Sequence, residues 1–193
     1  MRITMLRHGR TAWNAERRIQ GRTDIPLSDT GRQALEGLRL APAQDAEVWI
    51  SSPLTRATET ARILSGSRPH TTDARLMEMN FGDWEGHTHA DLIAADPAGM
   101  RRSEARGIHM RPPGGETPAE VATRLLDFLS SREESALVLV SHKGVIRAAL
   151  ARASGWDMTS DPPFAIKWHM AQTFLFDDGR LRIDRLNIPL VAA

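Results

Sequence analysis

"ITMLRHGRTAWN", residues Ile3–Asn14, begins as a short apolar strand and ends in a cluster of polar groups. Arg7 and His8 stand side by side at the strand end, and Gly9 and a second arginine follow them. Adjacent cationic and titratable groups in such a place repel each other and gain little from burial. An anion held by both side chains explains this arrangement.

The composition is that of an ordinary globular chain. Its 193 residues are enough for one domain that buries most of its apolar surface. Hydrophobic residues make up 41%, charged residues 25%, and the net charge of +1 gives no sign of a nucleic acid partner. The absence of cysteine excludes disulfides and thiolate metal sites. The apolar run before Arg7 is far shorter than a signal peptide or membrane span, so we predict a cytoplasmic protein without a membrane partner.

Short apolar runs alternate with helical patterns along the chain. Buried strands are predicted at Arg2–Leu6, Val48–Ser51 and Ala136–Ser141. Helices are predicted at Thr30–Leu40, at Leu54–Leu64, after the Thr117 and Glu120 capping box, and at about Val145–Ala153 before Gly155. This alternation predicts an α/β fold of three layers, with a mainly parallel sheet and helices on both faces.

Two further stretches complete the predicted domain. "TFLFDDGRLRIDRL" contains two alternating runs around Asp178-Gly179, which predicts a hairpin whose antiparallel strands close one edge of the sheet. An interval at about 87–116, with many Pro, Gly and Arg residues after Asp96, predicts a loop or helical insertion over one edge. No repeat or long linker divides the chain, so residues 1–193 are predicted to form a single domain.

The predicted strands bring cationic and titratable residues to one edge of the sheet. Arg7 and His8 follow the first strand, Arg56 lies in the first turn of the helix after the second, and His142 follows the third. Because ligands of parallel sheets bind beyond the carboxyl ends of the strands, these side chains should converge. A helix N-terminus adds backbone N–H groups beside them. The sequence therefore predicts a pocket for a dianion with several oxygens, above all phosphate.

Histidine adds chemistry that arginine lacks. A neutral imidazole is a nucleophile at physiological pH, and its phosphoryl adduct contains a reactive P–N bond. The leaving alkoxide then needs a proton. Glu78, within "LMEMNFGDWEG", is the preferred general acid, and Asp83 and Glu85 in the same loop are the alternatives. The insertion at about 87–116 would then cover this active site.

The motifs "LRHGRTAWN", "SSPLTRATETA", "LMEMNFGDWEG", "PPGGET" and "VSHKGVIRA", in this order, resemble those of the histidine phosphatase superfamily, the phosphoglycerate mutase-like fold. The resemblance covers the chain almost from end to end. It implies that His8 is the phosphorylated nucleophile and that Arg7 and Arg56 grip the phosphoryl oxygens. It further implies that His142 supports the transferring group and that Glu78 donates the proton.

The same resemblance implies which residues line the substrate entrance and which cofactors and partners the protein uses. Asn14 falls at a position that often reaches the phosphate, and Gln20 with Gly21 falls in a loop that commonly lines the substrate entrance. No metal and no cofactor are implied. The implied partner is a small phosphorylated metabolite. A homodimer is also predicted.

The branch of the superfamily decides the reaction. The compact length and the "EMNFGDWEG" and "PPGGET" stretches are similar to the α-ribazole phosphatase branch, which implies a phosphomonoesterase acting through a phosphohistidine. A phosphoglycerate mutase is the alternative within the superfamily, although mutases tend to be longer and must shield the phosphohistidine from water. A catalytically silent binder of phosphorylated ligands is the alternative of another class. The complete set of catalytic residue types argues against a binder.

Two residues depart from the superfamily pattern. Arg10 stands where many relatives have Glu, and Lys143 stands where a small residue commonly follows the second histidine. Both are predicted to add positive charge near the entrance. Either these positive charges favour a substrate with extra negative charge, or they are simply solvated.

Overall fold

The computed structural model describes residues 1–66 and 68–193. Its strands are β1 (Arg2–Arg7), β2 (Leu38–Arg39), β3 (Val48–Ser51), β4 (Thr71–Thr72), β5 (Ala136–Ser141), β6 (Ala171–Asp177), β7 (Arg180–Ile188) and β8 (Val191–Ala192). Its α-helices are α1 (Ala12–Ala15), α2 (Asp29–Gln33), α3 (Thr55–Leu64), α4 (His89–Ala95), α5 (Pro97–Glu104), α6 (Pro118–Ser130) and α7 (Lys143–Ser154). Short 3₁₀ helices lie at Pro42–Gln44, Ala74–Leu76, Gly82–Trp84 and Gly107–His109.

The central sheet has six strands in the order β4-β3-β5-β1-β6-β7. Strands β4, β3, β5 and β1 run parallel, and β6 and β7 add an antiparallel edge. Strand β1 pairs with β5 so that Arg7 lies opposite Ser141 at the carboxyl end. The predicted mainly parallel sheet with an antiparallel edge hairpin is confirmed, and its register places the polar residues after β1 and β5 side by side.

Apolar side chains cover both faces of the sheet. On one face, Leu137 and Leu139 pack with Leu125 and Phe128 of α6 and with Ile146 of α7. On the other face, the side chains of the same strands pack against α3, in a cluster of Leu6, Trp49, Ala57, Ala61, Val138 and Val140. The alternation of strand residues between two buried faces produces the predicted three layers.

Local sequence signals decide several element ends. Asp178 and Gly179 both adopt positive φ, +45° and +71°, as the predicted hairpin turn between β6 and β7 requires. Thr117 accepts a hydrogen bond from the Glu120 N–H, and the Glu120 carboxylate accepts from the Thr117 N–H, so the predicted capping box starts α6. Gly155, with a φ of +76°, ends α7 as predicted.

The predicted helix at Thr30–Leu40 is wrong in its second half. Helix α2 ends at Gln33, and the chain turns through Gly37, whose φ is +70°. Leu38 and Arg39 then form a strand that pairs antiparallel with β8, more than 150 residues further along the chain. Backbone hydrogen bonds to this distant strand replace the helical continuation that the apolar spacing predicted.

The interval at 87–116 contains more helix than its composition indicates. Thr88 caps α4, and Asp96 caps α5, whose first residue is Pro97. Nε2 of His89 and Oε1 of Glu104 lie 2.7 Å apart and tie the two helices together. Within the described ranges, no helix is long and apolar enough to cross a membrane.

Candidate active site

The carboxyl ends of β1, β3 and β5 bring the predicted polar residues together. The His8 N–H donates to the Ser141 carbonyl oxygen at 2.9 Å, which fixes the first histidine beside the end of β5. His142 follows Ser141 and begins α7, and its ring centroid lies 5.1 Å from that of His8. Arg56 lies in the first turn of α3 and is completely buried. The strand-end rule thus placed all these side chains correctly.

The His8 ring is held in one tautomer. Its Nδ1 lies 2.7 Å from the Gly9 carbonyl oxygen, and because a carbonyl only accepts, Nδ1 carries the proton. Nε2 therefore has the lone pair. Burial lowers the pKa of His8 well below its usual range, and the positive charges of Arg7 and Arg56 add to this effect. At neutral pH the residue is an uncharged imidazole with a nucleophilic Nε2.

His142 is fully buried behind the nucleophile. Neither of its ring nitrogens has a hydrogen-bond partner among the described residues. Burial lowers its pKa well below the ordinary value, and the neighbouring His8 and Arg56 lower it further. A neutral imidazole can still donate one N–H, so His142 can hydrogen-bond to an oxygen of a group on His8.

Arg56 and Arg7 provide fixed positive charge next to His8. Arg56 donates from Nη1 to the Thr23 carbonyl at 2.8 Å and from Nη2 to the Gly21 carbonyl at 2.7 Å. These bonds orient the guanidinium, while Nε of Arg56 and Nε of Arg7 are buried donors without a partner in the described part of the chain. Unpaired buried donors of this kind are costly, and a phosphoryl group with several oxygens matches them.

Glu78 lies two residues after the 3₁₀ helix Ala74–Leu76 and is almost fully buried. Oε1 accepts the Met79 N–H at 2.9 Å, and Oε2 accepts the Gly144 N–H at 3.2 Å. Burial raises the pKa of Glu78 above its ordinary value, although these two bonds and the charges of Arg56 and Arg7 oppose the shift. A carboxyl with a raised pKa retains its proton at higher pH and can act as a general acid.

A cavity of about 910 Å³ lies over these groups, and we call it the Glu78 cavity. Its walls include Arg7, His8, Glu78, the predicted residues Asn14, Gln20 and Gly21, and Lys143 and Arg147 of α7. The 87–116 segment contributes His89, Met100, Glu104, Ala105, Gly107 and Met110 to the wall. The cavity is large enough for a phosphorylated metabolite.

The model of the histidine phosphatase superfamily (branch 1) matches residues 3–189 of this chain. The chain belongs to the histidine phosphatase superfamily. The fold, the superfamily and a phosphatase of this class, all predicted from the motifs, are thereby confirmed.

Individual relatives come from several branches of the superfamily. The glucosyl-3-phosphoglycerate phosphatase of Mycolicibacterium vanbaalenii is 36% identical over 175 residues, which cover 83% of this chain and 77% of the relative. Phosphoglycerate mutase-like protein 4 of Arabidopsis thaliana is 34% identical, with 78% and 70% covered. The solved structure of the α-ribazole phosphatase from Shigella flexneri superposes with a TM-score of 0.77 at 26% identity, and 97% of this chain and 96% of that chain are covered.

The substrate-binding residues predicted from the superfamily motifs differ in how directly they face the cavity. Asn14 Oδ1 accepts the Thr11 N–H at 3.0 Å, so only its amide nitrogen is free for a ligand. Gln20 is buried, and its Oε1 has no partner among the described residues. Gly21, with a φ of +53°, supplies the carbonyl that orients Arg56, and a Cβ there would collide with Glu85.

The structure separates the alternatives for the general acid of this superfamily member. The Glu85 carboxylate accepts backbone N–H groups of Arg22, Thr23 and Phe81, so it is occupied in holding two loops together. Glu85 and Asp83 do not line the Glu78 cavity, whereas Glu78 does. The preference for Glu78 therefore agrees with its position.

Arg124 is a supporting residue that the sequence analysis missed. It donates to the backbone carbonyls of Arg75 at 2.6 Å and Glu78 at 3.2 Å, and it pairs with Glu116 of the "PPGGET" stretch. These contacts hold the segment that carries Glu78. Its position four residues after Glu120 of the capping box gave no sign of this contact.

Arg10 and Lys143, the two departures from the superfamily pattern, line different cavities that both reach His8. Arg10 lies in the wall of a second cavity of about 1010 Å³, which shares Arg7, His8 and Asn14 with the Glu78 cavity. Lys143 lines the Glu78 cavity. The turn after β1 directs Arg10 towards α2, where its carbonyl accepts the Ser28 N–H.

Replacing Gly144 by alanine should impair proton donation by Glu78. A Cβ at this position would lie 2.3 Å from Glu78 Oε1, so the carboxyl group must move away from its backbone donors. We expect a fall of roughly 10-fold in kcat for alkyl phosphates and a smaller fall for an aryl phosphate, whose leaving group needs less protonation. Because alanine favours helices more than glycine, this loss should not come from a weakened α7. An equal loss for both esters would contradict this explanation.

Proposed function

We propose that this chain hydrolyses phosphate monoesters of small metabolites through a phosphohistidine on His8. The observation that carries the proposal is the neutral His8 ring, whose Nδ1–H is held by the Gly9 carbonyl and whose Nε2 is free. A histidine that only bound phosphate electrostatically would gain from a positive charge. The arrangement here favours the uncharged, nucleophilic form.

The first step forms an N–P bond and breaks the ester P–O bond. Nε2 of His8 attacks phosphorus while Arg7, Arg56 and His142 stabilise the equatorial oxygens. The leaving oxygen takes the proton of Glu78, and the alcohol departs. The raised pKa of Glu78 matches this role, because the group must be protonated when the ester binds.

The second step regenerates the histidine. The Glu78 carboxylate removes a proton from water, and the resulting hydroxide attacks the phosphohistidine. The N–P bond breaks, inorganic phosphate leaves, and Glu78 is protonated again for the next cycle. The same carboxyl group thus acts first as acid and then as base.

We propose that the 87–116 segment forms the outer wall of the substrate site within one domain. Its contribution to the Glu78 cavity and the contact between His89 and Glu104 support this role. Small phosphorylated metabolites are the substrate class, and α-ribazole phosphate and glucosyl-3-phosphoglycerate are the two specific candidates suggested by the relatives. The cytoplasmic location and the homodimer stay predictions.

Phosphate release from a panel of monoesters tests this function. The panel contains α-ribazole phosphate, glucosyl-3-phosphoglycerate, 3-phosphoglycerate, a sugar phosphate and 4-nitrophenyl phosphate, each measured in EDTA. We expect phosphate release with at least one metabolite preferred over the aryl ester. Isomerisation of 3-phosphoglycerate without phosphate release, dependent on a bisphosphorylated primer, would instead establish the mutase suggested by mutase-like relatives. Binding of these ligands without turnover would indicate the silent binder.

A further inference from the structure

Lys143 and Arg147 form a pair of positive charges in the wall of the Glu78 cavity. They lie four residues apart in the first turns of α7, so their side chains project from the same side of the helix. Like charges at this spacing destabilise a helix by a few tenths of a kcal/mol. The two side chains do not belong to the apolar core.

Neither cation forms an ion pair with a carboxylate in the described part of the chain. Across residues 1–66 and 68–193, no carboxylate lies within ion-pair distance of either side chain. Partial burial lowers the pKa of Lys143, and the charges of Arg147 and Arg7 lower it further. Burial also lowers the pKa of Arg147, against the attraction of Asp161. The cavity wall therefore carries positive charge that the protein only partly compensates.

Aromatic rings hold both side chains in place. Nζ of Lys143 lies 5.3 Å from the ring centroid of Trp168, and the guanidinium carbon of Arg147 lies 4.9 Å from that of Trp156. Such contacts stabilise a cation over an aromatic face. They also restrict the side chains, so less entropy is lost when an anion binds.

The pair lies on the side of the cavity where the leaving group departs. Lys143 directly precedes Gly144, whose N–H holds the Glu78 carboxyl group. The proton donor must face the ester oxygen, so the alcohol part of the substrate lies near Glu78 and extends along the wall that α7 forms. The reacting phosphoryl group has its own partners in Arg7, Arg56 and His142, which leaves Lys143 and Arg147 for another group.

We propose that Lys143 and Arg147 bind a second anionic group, carried by the alcohol part of the substrate. The inference rests on the proposed function and narrows its substrate class to monoesters whose alcohol carries a carboxylate or a second phosphate. Lys143 is the departure from the superfamily motif noted in the sequence, so the preference is expected to be specific to this chain and those that share the lysine.

Matched pairs of substrates isolate the second anion. 3-Phosphoglycerate and glycerol 3-phosphate differ in a carboxylate that replaces a hydroxymethyl group, and 1,3-propanediol bisphosphate and its monophosphate differ in the second phosphate. In at least one pair, we expect the substrate with the second anion to have a kcat/KM about 10-fold or more above that of the substrate without it. Lys143→Met should reduce this ratio at least about 5-fold, and Lys143→Arg should restore much of it. The pair with the larger ratio distinguishes carboxylate from phosphate.

Two controls separate charge recognition from damage to the active site. Arg152→Met changes a cation on the last turn of the same helix, exposed and away from the cavity, and should leave every ratio unchanged. The ratio within a matched pair is the second control, because any change that Lys143→Met causes at the shared phosphoryl site affects both members of the pair. Equal ratios in the natural and Lys143→Met proteins would overturn the inference while leaving the phosphatase function intact.

A binding measurement keeps the test independent of turnover. Calorimetric titration of 3-phosphoglycerate and glycerol 3-phosphate into the His8→Ala protein compares both ligands without hydrolysis. Adding Lys143→Met should weaken 3-phosphoglycerate binding at least about 5-fold and leave glycerol 3-phosphate binding unchanged. If the natural protein releases no phosphate but this selective loss appears, the proposed function fails and the anion site stands. If both ligands weaken equally, the anion site is rejected.

Discussion

Replacing His8 by alanine is expected to lower phosphate release from an alkyl phosphate by at least about 10⁴-fold while the protein stays folded. The variant lacks the nitrogen that forms the N–P bond, and the remaining charges of Arg7 and Arg56 supply only binding. His8 is buried, but its ring contributes a single hydrogen bond, to the Gly9 carbonyl of its own segment. Phosphate release and circular dichroism measure the two parts of this prediction.

A matched histidine variant controls for the substitution itself. His70 directly precedes β4, which β3 and β5 separate from β1, and it lines neither of the two cavities at His8. His70→Ala should therefore retain the natural rate. Quenching with alkaline detergent during turnover of a ³²P-labelled ester should trap base-stable, acid-labile label on the natural protein and none on His8→Ala. Full turnover by a folded His8→Ala protein would reject the phosphohistidine mechanism.

Replacing Glu78 by glutamine should lower kcat/KM for an alkyl phosphate by about 10²–10⁴-fold, the usual contribution of a general acid. Glutamine is similar in size and keeps the Met79 N–H bond at its carbonyl oxygen, whereas its amide nitrogen cannot accept the Gly144 N–H. The loss should be much smaller for 4-nitrophenyl phosphate, because nitrophenolate leaves without protonation. Equal losses for both esters would show that Glu78 positions the substrate or His8 instead of donating a proton.

The pH dependence of kcat/KM gives a second measurement of the same residues. The lowered pKa of His8 keeps the nucleophile neutral below the pH at which histidine ordinarily protonates, so activity should persist into the acidic range. The raised pKa of Glu78 means that activity with alkyl esters falls as pH rises through that pKa, because the proton is then absent. The alkaline decline should disappear in Glu78→Gln, which has no proton to lose.

Several elements were predictable because their signals are local. The turn at Asp178 and Gly179 and the capping box at Thr117 need only their neighbours in sequence to form, and the strand Val48–Ser51 was visible as a short apolar run. The helix predicted at Thr30–Leu40 failed because its second half pairs with a strand from the far end of the chain. Pairing at such separation leaves no periodic signal in the segment itself.

The sequence by itself determined which residues reach the catalytic edge. A parallel sheet brings the carboxyl ends of its strands together, so Arg7, His8 and His142 converge wherever β1 and β5 pair. The motif series then identified the superfamily. Both conclusions follow from the residue types that come after each strand along the chain, and the sequence contains that information.

Only the tertiary structure decided the chemistry that each group can perform. The tautomer of His8, the burial that raises the pKa of Glu78, and the carbonyl partners that orient Arg56 depend on loops far apart in sequence. The same holds for Lys143, whose Nζ lies 5.3 Å from the ring centroid of Trp168. Protonation and orientation are set by the dielectric and the hydrogen-bond partners around a side chain, and folding alone assembles those surroundings.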